Sequence, residues 1–159
     1  MTRIPALGPR GEGWLAGQIV LFGLAFGAGV AGSGAWRHEL RSVTTVAAGV
    51  LILAGGLLAI RGILDLRENL TALPAPVREG HLVEGGVYSI VRHPIYTGVI
   101  LAAFGWGLFT ASPAALGVAA IIALFFDLKS RREESWLAEK YPGYSAYRAR
   151  TRKLVPWIY

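Results

Sequence analysis

The sequence predicts an all-α fold: a polytopic membrane helix bundle of about four transmembrane helices, followed by cytosolic amphipathic helices. Three observations carry that prediction. Of 159 residues, 53% are hydrophobic and 16% charged, where globular domains average about 25% charged. The charges leave long empty windows: 24 residues between Glu12 and Arg37, 19 between Arg41 and Arg61, and 33 from Pro94 to Phe126. Glycine supplies 21 residues, a share that weakens soluble helices but lets membrane helices approach closely. A core of this size cannot consume so much apolar surface, so lipid must solvate part of it.

The first window gives a span near residues 14–36. It is too long for the apolar block of a signal peptide and shows no clear cleavage site. The second gives a span near 42–61. As one helix the third window would measure about 50 Å, well beyond a hydrocarbon core of roughly 30 Å. Thr110-Ala111-Ser112-Pro113 offers the break, with Ser112 as N-cap and Pro113 at the first helical position. Two short spans, near 94–110 and 113–128, follow. All four belong to a single domain, 1–159.

Between spans two and three lies a loop, 69–93. Asn69-Leu70-Thr71-Ala72-Leu73-Pro74-Ala75-Pro76 cannot be a regular helix, because its prolines force their predecessors into extended conformations. Gly80-His81-Leu82-Val83-Glu84-Gly85-Gly86-Val87-Tyr88 continues it. A loop of this length between helices generally has a function. Past span four the chain becomes charged and helical over 129–153. There Lys129 and Glu133 stand at i,i+4, as do Ser130 and Glu134. Tyr141-Pro142-Gly143 ends that helix, and a shorter one with Tyr144, Tyr147 and Arg148 leads to Leu154-Val155-Pro156-Trp157. The aromatics here fit a headgroup-level anchor as well as a ligand-facing wall.

Four spans put the N-terminus, the 62–93 loop and the C-terminal tail on one side. That side carries fourteen Lys and Arg, including Arg3, Arg10, Arg61, Arg67, Arg78 and Arg92, against Arg37 and Arg41 on the other. The asymmetry predicts that both termini are cytoplasmic. It also makes the net charge of +6 a membrane-surface feature, with no nucleic-acid partner expected. Cysteine is absent, which removes disulfides, thiolate nucleophiles and Cys-ligated metals. His38, His81 and His93 lack metal-ligand spacing, so no metal is expected.

Arg92-His93-Pro94-Ile95-Tyr96-Thr97-Gly98, preceded by Gly86-Val87-Tyr88, resembles the signature of isoprenylcysteine carboxyl methyltransferases and their bacterial relatives. Glu133-Glu134, then Tyr144, Tyr147 and a basic stretch before Pro156, is similar to the C-terminal pattern of that family. Asn69-Leu70-Thr71 with Pro74 and Pro76 is similar to the bacterial branch, which suggests a bacterial inner membrane. The resemblance covers about residues 65–157, and phospholipid methyltransferases share parts of it. It implies an S-adenosylmethionine-dependent methyltransferase acting on a lipophilic acceptor, with the cofactor held on the cytosolic face. The implied cofactor set is Gly80, His81, Leu82, Val83, Tyr88, His93, Pro94, Ile95, Tyr96 and Glu134, with Lys129 and Glu134 as the catalytic pair. Lys129 stands where the eukaryotic carboxyl methyltransferases have an arginine facing the substrate. Lysine keeps the charge but loses the two-pronged fit to a carboxylate, and Arg131 and Arg132 are the nearby residues that could compensate.

The chemistry is consistent with these residue types. Methyl transfer from a sulfonium is an in-line displacement that asks the protein to position two partners and exclude water. Tyrosine faces such as Tyr88 and Tyr96 favour a cation. A carboxylate such as Glu134 suits an ammonium group. Singly, these residues have ordinary readings: His93 as a cap of the third span, Tyr96 as a belt residue, the acidic pair as a solvated helix face. Their joint occurrence at these intervals favours a cofactor site. Three other functions compete: a lipid-amine N-methyltransferase, an NADPH-dependent membrane reductase and a non-enzymatic membrane subunit. Gly23 and Gly27 form a GxxxG that could join helices within or between chains, and the oligomeric state is open.

Overall fold

A computed structural model describes residues 4–156 and 158–159; Arg3 and Trp157, both used above, lie outside them. The described residues form five α-helices: α1 (Glu12–Ala31), α2 (His38–Leu66), α3 (Pro94–Phe109), α4 (Pro113–Lys140) and α5 (Tyr144–Arg150). Three helical stretches are long and apolar enough to cross a membrane: Glu12–Ala31, His38–Asn69 and Pro113–Lys140. The fourth, α3, has 16 residues and is about 24 Å long. The chain is a multi-pass integral membrane protein.

The predicted break between the last two spans is present. The Ser112 hydroxyl accepts from the Ala115 amide at 3.2 Å, and Pro113 occupies the first turn of α4. The Ser112 hydroxyl also donates to Ala28 O at 2.8 Å, fastening this turn to the end of α1. Three boundaries differ from the sequence reading, one of them the start of the second helix, at His38 rather than near 42. The first helix stops at Ala31 rather than near 36, because Gly32-Ser33-Gly34 turns the chain there while the residues remain apolar. The second runs on past Arg61 to Leu66, its added turn carrying the Arg61–Asp65 ion pair at 3.3 Å.

The turns after α1 and α3 lie together: Gly34 N donates to Thr110 O and Ala35 N to Ala111 O, each at 3.0 Å. At the opposite end, Ala75 N donates to Arg10 O at 3.3 Å, and the Thr97 hydroxyl donates to Leu154 O at 2.7 Å. Both ends of the described chain therefore share one side with the 67–93 segment. In the bundle α2 packs on α3, α3 on α4, and α4 on α1. Consecutive α1 and α2 are thus not the close neighbours that their short connection suggests.

The closest helix approach is between α2 and α3. A Cβ on Gly55 would sit 2.5 Å from Gly98 O, so the two backbones touch where both residues lack side chains. Gly23 and Gly27 have open space at their Cβ positions, so this GxxxG joins no helices within the chain. Ala25, Ile122 and Phe126 form the buried centre, with Tyr96 packed against it.

Candidate functional site

The site begins where apolar sequence ends. Phe126 is the last residue of the uncharged run, and from Asp127 onward α4 projects beyond the bundle as a polar extension. The proline-rich segment cannot add a helix against it, so it folds back as a roof. Its fastenings are specific. Asn69 Oδ1 accepts from the His81 amide at 2.9 Å, and the Tyr141 hydroxyl donates to Gly80 O at 2.8 Å. Asp65 Oδ2 accepts from Val87 N at 2.9 Å. Gly86, at φ 60°, leaves room for that carboxylate, which a side chain would strike.

Under this roof is a cavity of about 770 Å³, counted out through its open mouth and so including solvent space there. The roof contributes Asn69, Thr71, Pro74, Pro76, Val77, His81, Leu82 and Val83. Tyr88, Arg92, His93, Ile95 and Tyr96 form one wall, and Glu133, Leu137, Tyr141, Tyr144 and Tyr147 the other. Burial holds the phenols of Tyr88, Tyr144 and Tyr147 well above the ordinary tyrosine range, so they stay neutral. The Tyr147 hydroxyl donates to Tyr88 O at 2.8 Å, binding α5 to the turn before α3.

The centre of the wall is a chain of polar contacts. The Tyr96 hydroxyl donates to Glu133 Oε2 at 2.5 Å. The buried His93 ring stacks on Tyr96 with centroids 5.2 Å apart, its Nδ1 3.9 Å from Glu133 and its Nε2 3.2 Å from Glu134 Oε1. Arg92 Nε donates to the same Glu134 oxygen at 2.8 Å, with both side chains under a tenth exposed. Arg92 Nη1 also donates to Thr151 O at 2.6 Å. An isolated parallel β-bridge between Val91 and Arg152 completes this clamp on the C-terminal segment.

The residues expected from the sequence divide into three groups. His81, Leu82, Val83, Tyr88, His93, Ile95 and Tyr96 line the cavity together. Gly80 holds the roof through its carbonyl, and Pro94 is buried behind the wall against Gly62. Glu134 and Lys129 are not on the lining. Glu134 is turned to Arg92 and His93, with Arg148 Nε 3.6 Å away. Lys129 is 1% exposed, and its Nζ donates to Gln18 Oε1 at 2.6 Å and Ala72 O at 3.0 Å. It lies 5.4 Å from the Tyr96 ring centre and 5.7 Å from that of Phe126. The two i,i+4 pairs expected on α4 are replaced: Tyr96 takes Glu133, Lys129 goes to Gln18, and the Ser130 hydroxyl donates to Asp127 O.

Sequence reasoning left Glu133, Arg92, Leu137 and Tyr141 out of the site. A signal was available for three of them: Glu133, Leu137 and Tyr141 recur every four residues, which places them on one helix face.

A second concavity opens sideways on the membrane-spanning part, between α1, α3 and α4. It is apolar, about 530 Å³ counted to its open mouth, and lined by Phe22, Ala25, Phe26, Val99, Ala102, Ala103, Trp106 and Ile122. Ile122 and Val99 also belong to the cluster that contains Phe126 and Tyr96. The groove therefore ends against the membrane side of the cavity wall.

The family model described as phospholipid methyltransferase matches residues 43–143. The chain is 37% identical over 76 residues to the cobalt-zinc-cadmium resistance protein CzcN of Cupriavidus metallidurans, covering 47% of this chain and 35% of that protein. It is 30% identical over 112 residues to protein-S-isoprenylcysteine O-methyltransferase B of Arabidopsis thaliana, covering 68% of this chain and 57% of that protein. The matched stretches thus span between about a third and somewhat over half of these relatives' length.

Proposed function

The chain belongs to the phospholipid methyltransferase family, and from that premise we propose that it transfers a methyl group from S-adenosylmethionine to a lipophilic acceptor. The observation that carries the reading is the position of the cavity. It sits at the polar edge of the bundle, walled by tyrosines and one carboxylate, and the packed Tyr96–Phe126 layer divides it from an apolar groove open to lipid. A water-soluble donor and a membrane-borne acceptor then approach one wall from its two sides, and Tyr96 or Phe126 must move for the in-line attack to occur.

The lining suits such a donor. Tyrosine faces favour a sulfonium cation, and apolar Leu82, Val83, Ile95 and Leu137 suit a flat base. Glu133 is the carboxylate present on the lining, and it is our choice for the donor's ammonium group. In this assignment Glu134 is a positioning residue that fixes Arg92 and the His93 ring. When bound, the sulfonium supplies an electrophilic methyl group for in-line displacement by the acceptor. The protein's own part is to hold Tyr96 and His93 rigid between Glu133 and Glu134, and to exclude water with the 69–93 roof. Lys129, buried 5.4 Å from the Tyr96 ring centre, puts a positive charge beside that ring, toward which an anionic acceptor head would be drawn. The Lys/Arg asymmetry supports placing the cavity in the cytoplasm.

The test uses purified protein in detergent. Equilibrium binding should detect S-adenosylhomocysteine and S-adenosylmethionine but not NADPH. Incubation with methyl-labelled donor and a lipid extract of the host should then label a lipophilic product. Binding of NADPH in place of the sulfonium compounds would overturn the reading.

A further inference from the structure

Behind the Arg92–Glu134 pair, on the face away from the cavity, lies a second polar concavity of about 920 Å³ counted to its open mouth. Arg92, Arg131, Arg148, Arg152 and Lys153 line it. These five cations share two carboxylates. Glu134 serves Arg92 and, at 3.6 Å, Arg148. Asp127 serves Lys153 and, at 2.8 Å, Arg131. Arg152 has no carboxylate within ion-pair distance among the described residues. The five cations thus outnumber the two side-chain carboxylates that pair with them. The Arg131 and Arg148 side chains are 54% and 63% exposed.

Its height fixes what meets it. Asp127 directly follows Phe126, the end of the uncharged run, and Leu154 is bonded to Thr97 in the first turn of α3. The cleft is therefore level with the lipid headgroups. Ile158, on its wall, is 80% exposed and Val155 is 43% exposed, apolar groups that sit readily among acyl chains. Guanidinium groups bind phosphate oxygens in pairs with good geometry.

We propose that this cleft is a binding site for the phosphate of an anionic phospholipid, distinct from the methyl-transfer cavity. The wall of Arg92, His93 and Glu134 separates the two, so the bound lipid is a resident of the cleft and not the acceptor. It tethers the C-terminal segment to the membrane and, through Arg92, steadies the back of the catalytic wall. This inference stands on the cleft's charge and height, and does not require the methyltransferase reading.

The experiment is native mass spectrometry of the full chain in detergent, with added dioleoyl phosphatidylglycerol or dioleoyl phosphatidylcholine. One phosphatidylglycerol should be retained in preference to phosphatidylcholine, and inorganic phosphate should not displace it. The double variant Arg148→Gln/Arg152→Gln should lower retention roughly 10- to 30-fold. Arg78→Gln, an exposed charge on the same side outside the cleft, should leave it unchanged. Thermal unfolding first confirms that each variant is folded. Equal retention of both lipids, displacement by inorganic phosphate, or an equal loss in Arg78→Gln would each overturn the site. So would undiminished retention in the double variant.

Discussion

Glu133 and Glu134, neighbours on α4, present their carboxylates to opposite sides of one histidine ring. Glu133 lies 3.9 Å from His93 Nδ1 and faces the cavity; Glu134 lies 3.2 Å from His93 Nε2 and faces Arg92. A step of one residue turns a helix by about 100°, which is enough to give two adjacent, identical residues different environments. The two should therefore respond differently to the same substitution.

Glu133→Gln should weaken S-adenosylhomocysteine binding about 10- to 100-fold, the range of a charge-assisted hydrogen bond. Its melting temperature should move little, since a glutamine can still accept from Tyr96. Calorimetric titration of the folded variant checks this. Unchanged affinity would remove Glu133 from the donor site.

Glu134→Gln should act first on stability. It leaves the Arg92 guanidinium buried without its countercharge, a loss of roughly 3–5 kcal/mol in comparable buried pairs. Thermal unfolding in detergent should show a clear drop, larger than that of Glu133→Gln. If the order of the two melting temperatures is reversed, the division of labour across His93 is wrong.

How far the sequence spoke for this arrangement depends on the length scale of each determinant. The α3–α4 break was legible because Ser112 and Pro113 act within one turn. The end of α1 was not, because Ser33-Gly34-Ala35-Trp36 is apolar enough to pass for membrane helix although the chain turns there. The loop and the residues from His81 to Tyr96 were found through their pattern, and they do share a cavity. Spacing could not say which member of the acidic pair faces it, because that depends on how α4 is rotated against α3. Nor could it show that Lys129 bonds Gln18, 111 residues away, in preference to its neighbour Glu133. The Lys/Arg count predicted a shared side for the two ends, and the hydrogen bonds at Ala75 and Leu154 place them there.

Lys129→Met keeps the length of the side chain but removes the donors to Gln18 and to Ala72 O. Two partly buried acceptors lose their partner, which should cost about 1–3 kcal/mol. Because Ala72 belongs to the roof, amide exchange should accelerate over residues 71–77 and leave α2 unaffected. Exchange unchanged in that segment would show that Lys129 does not hold the roof.

Asn69 supplies the last test. Its Oδ1 holds the His81 amide at 2.9 Å, and its Nδ2 donates to Leu66 O at 3.3 Å, so one side chain joins the end of α2 to the lining segment. The segment is otherwise irregular backbone, held by a few such bonds. Bound S-adenosylhomocysteine should therefore protect the amides of residues 81–88 from hydrogen exchange in the parent protein. Asn69→Ala removes both bonds, each worth about 1 kcal/mol, so the free roof should exchange faster and bind about tenfold more weakly. Protection on saturation should nevertheless return, because Leu82, Val83 and Tyr88 line the cavity as well as Asn69. Exchange with and without ligand, in both proteins, separates the possibilities. If the parent shows no protection over 81–88, the roof is not part of the donor site, whatever Asn69→Ala does to its mobility.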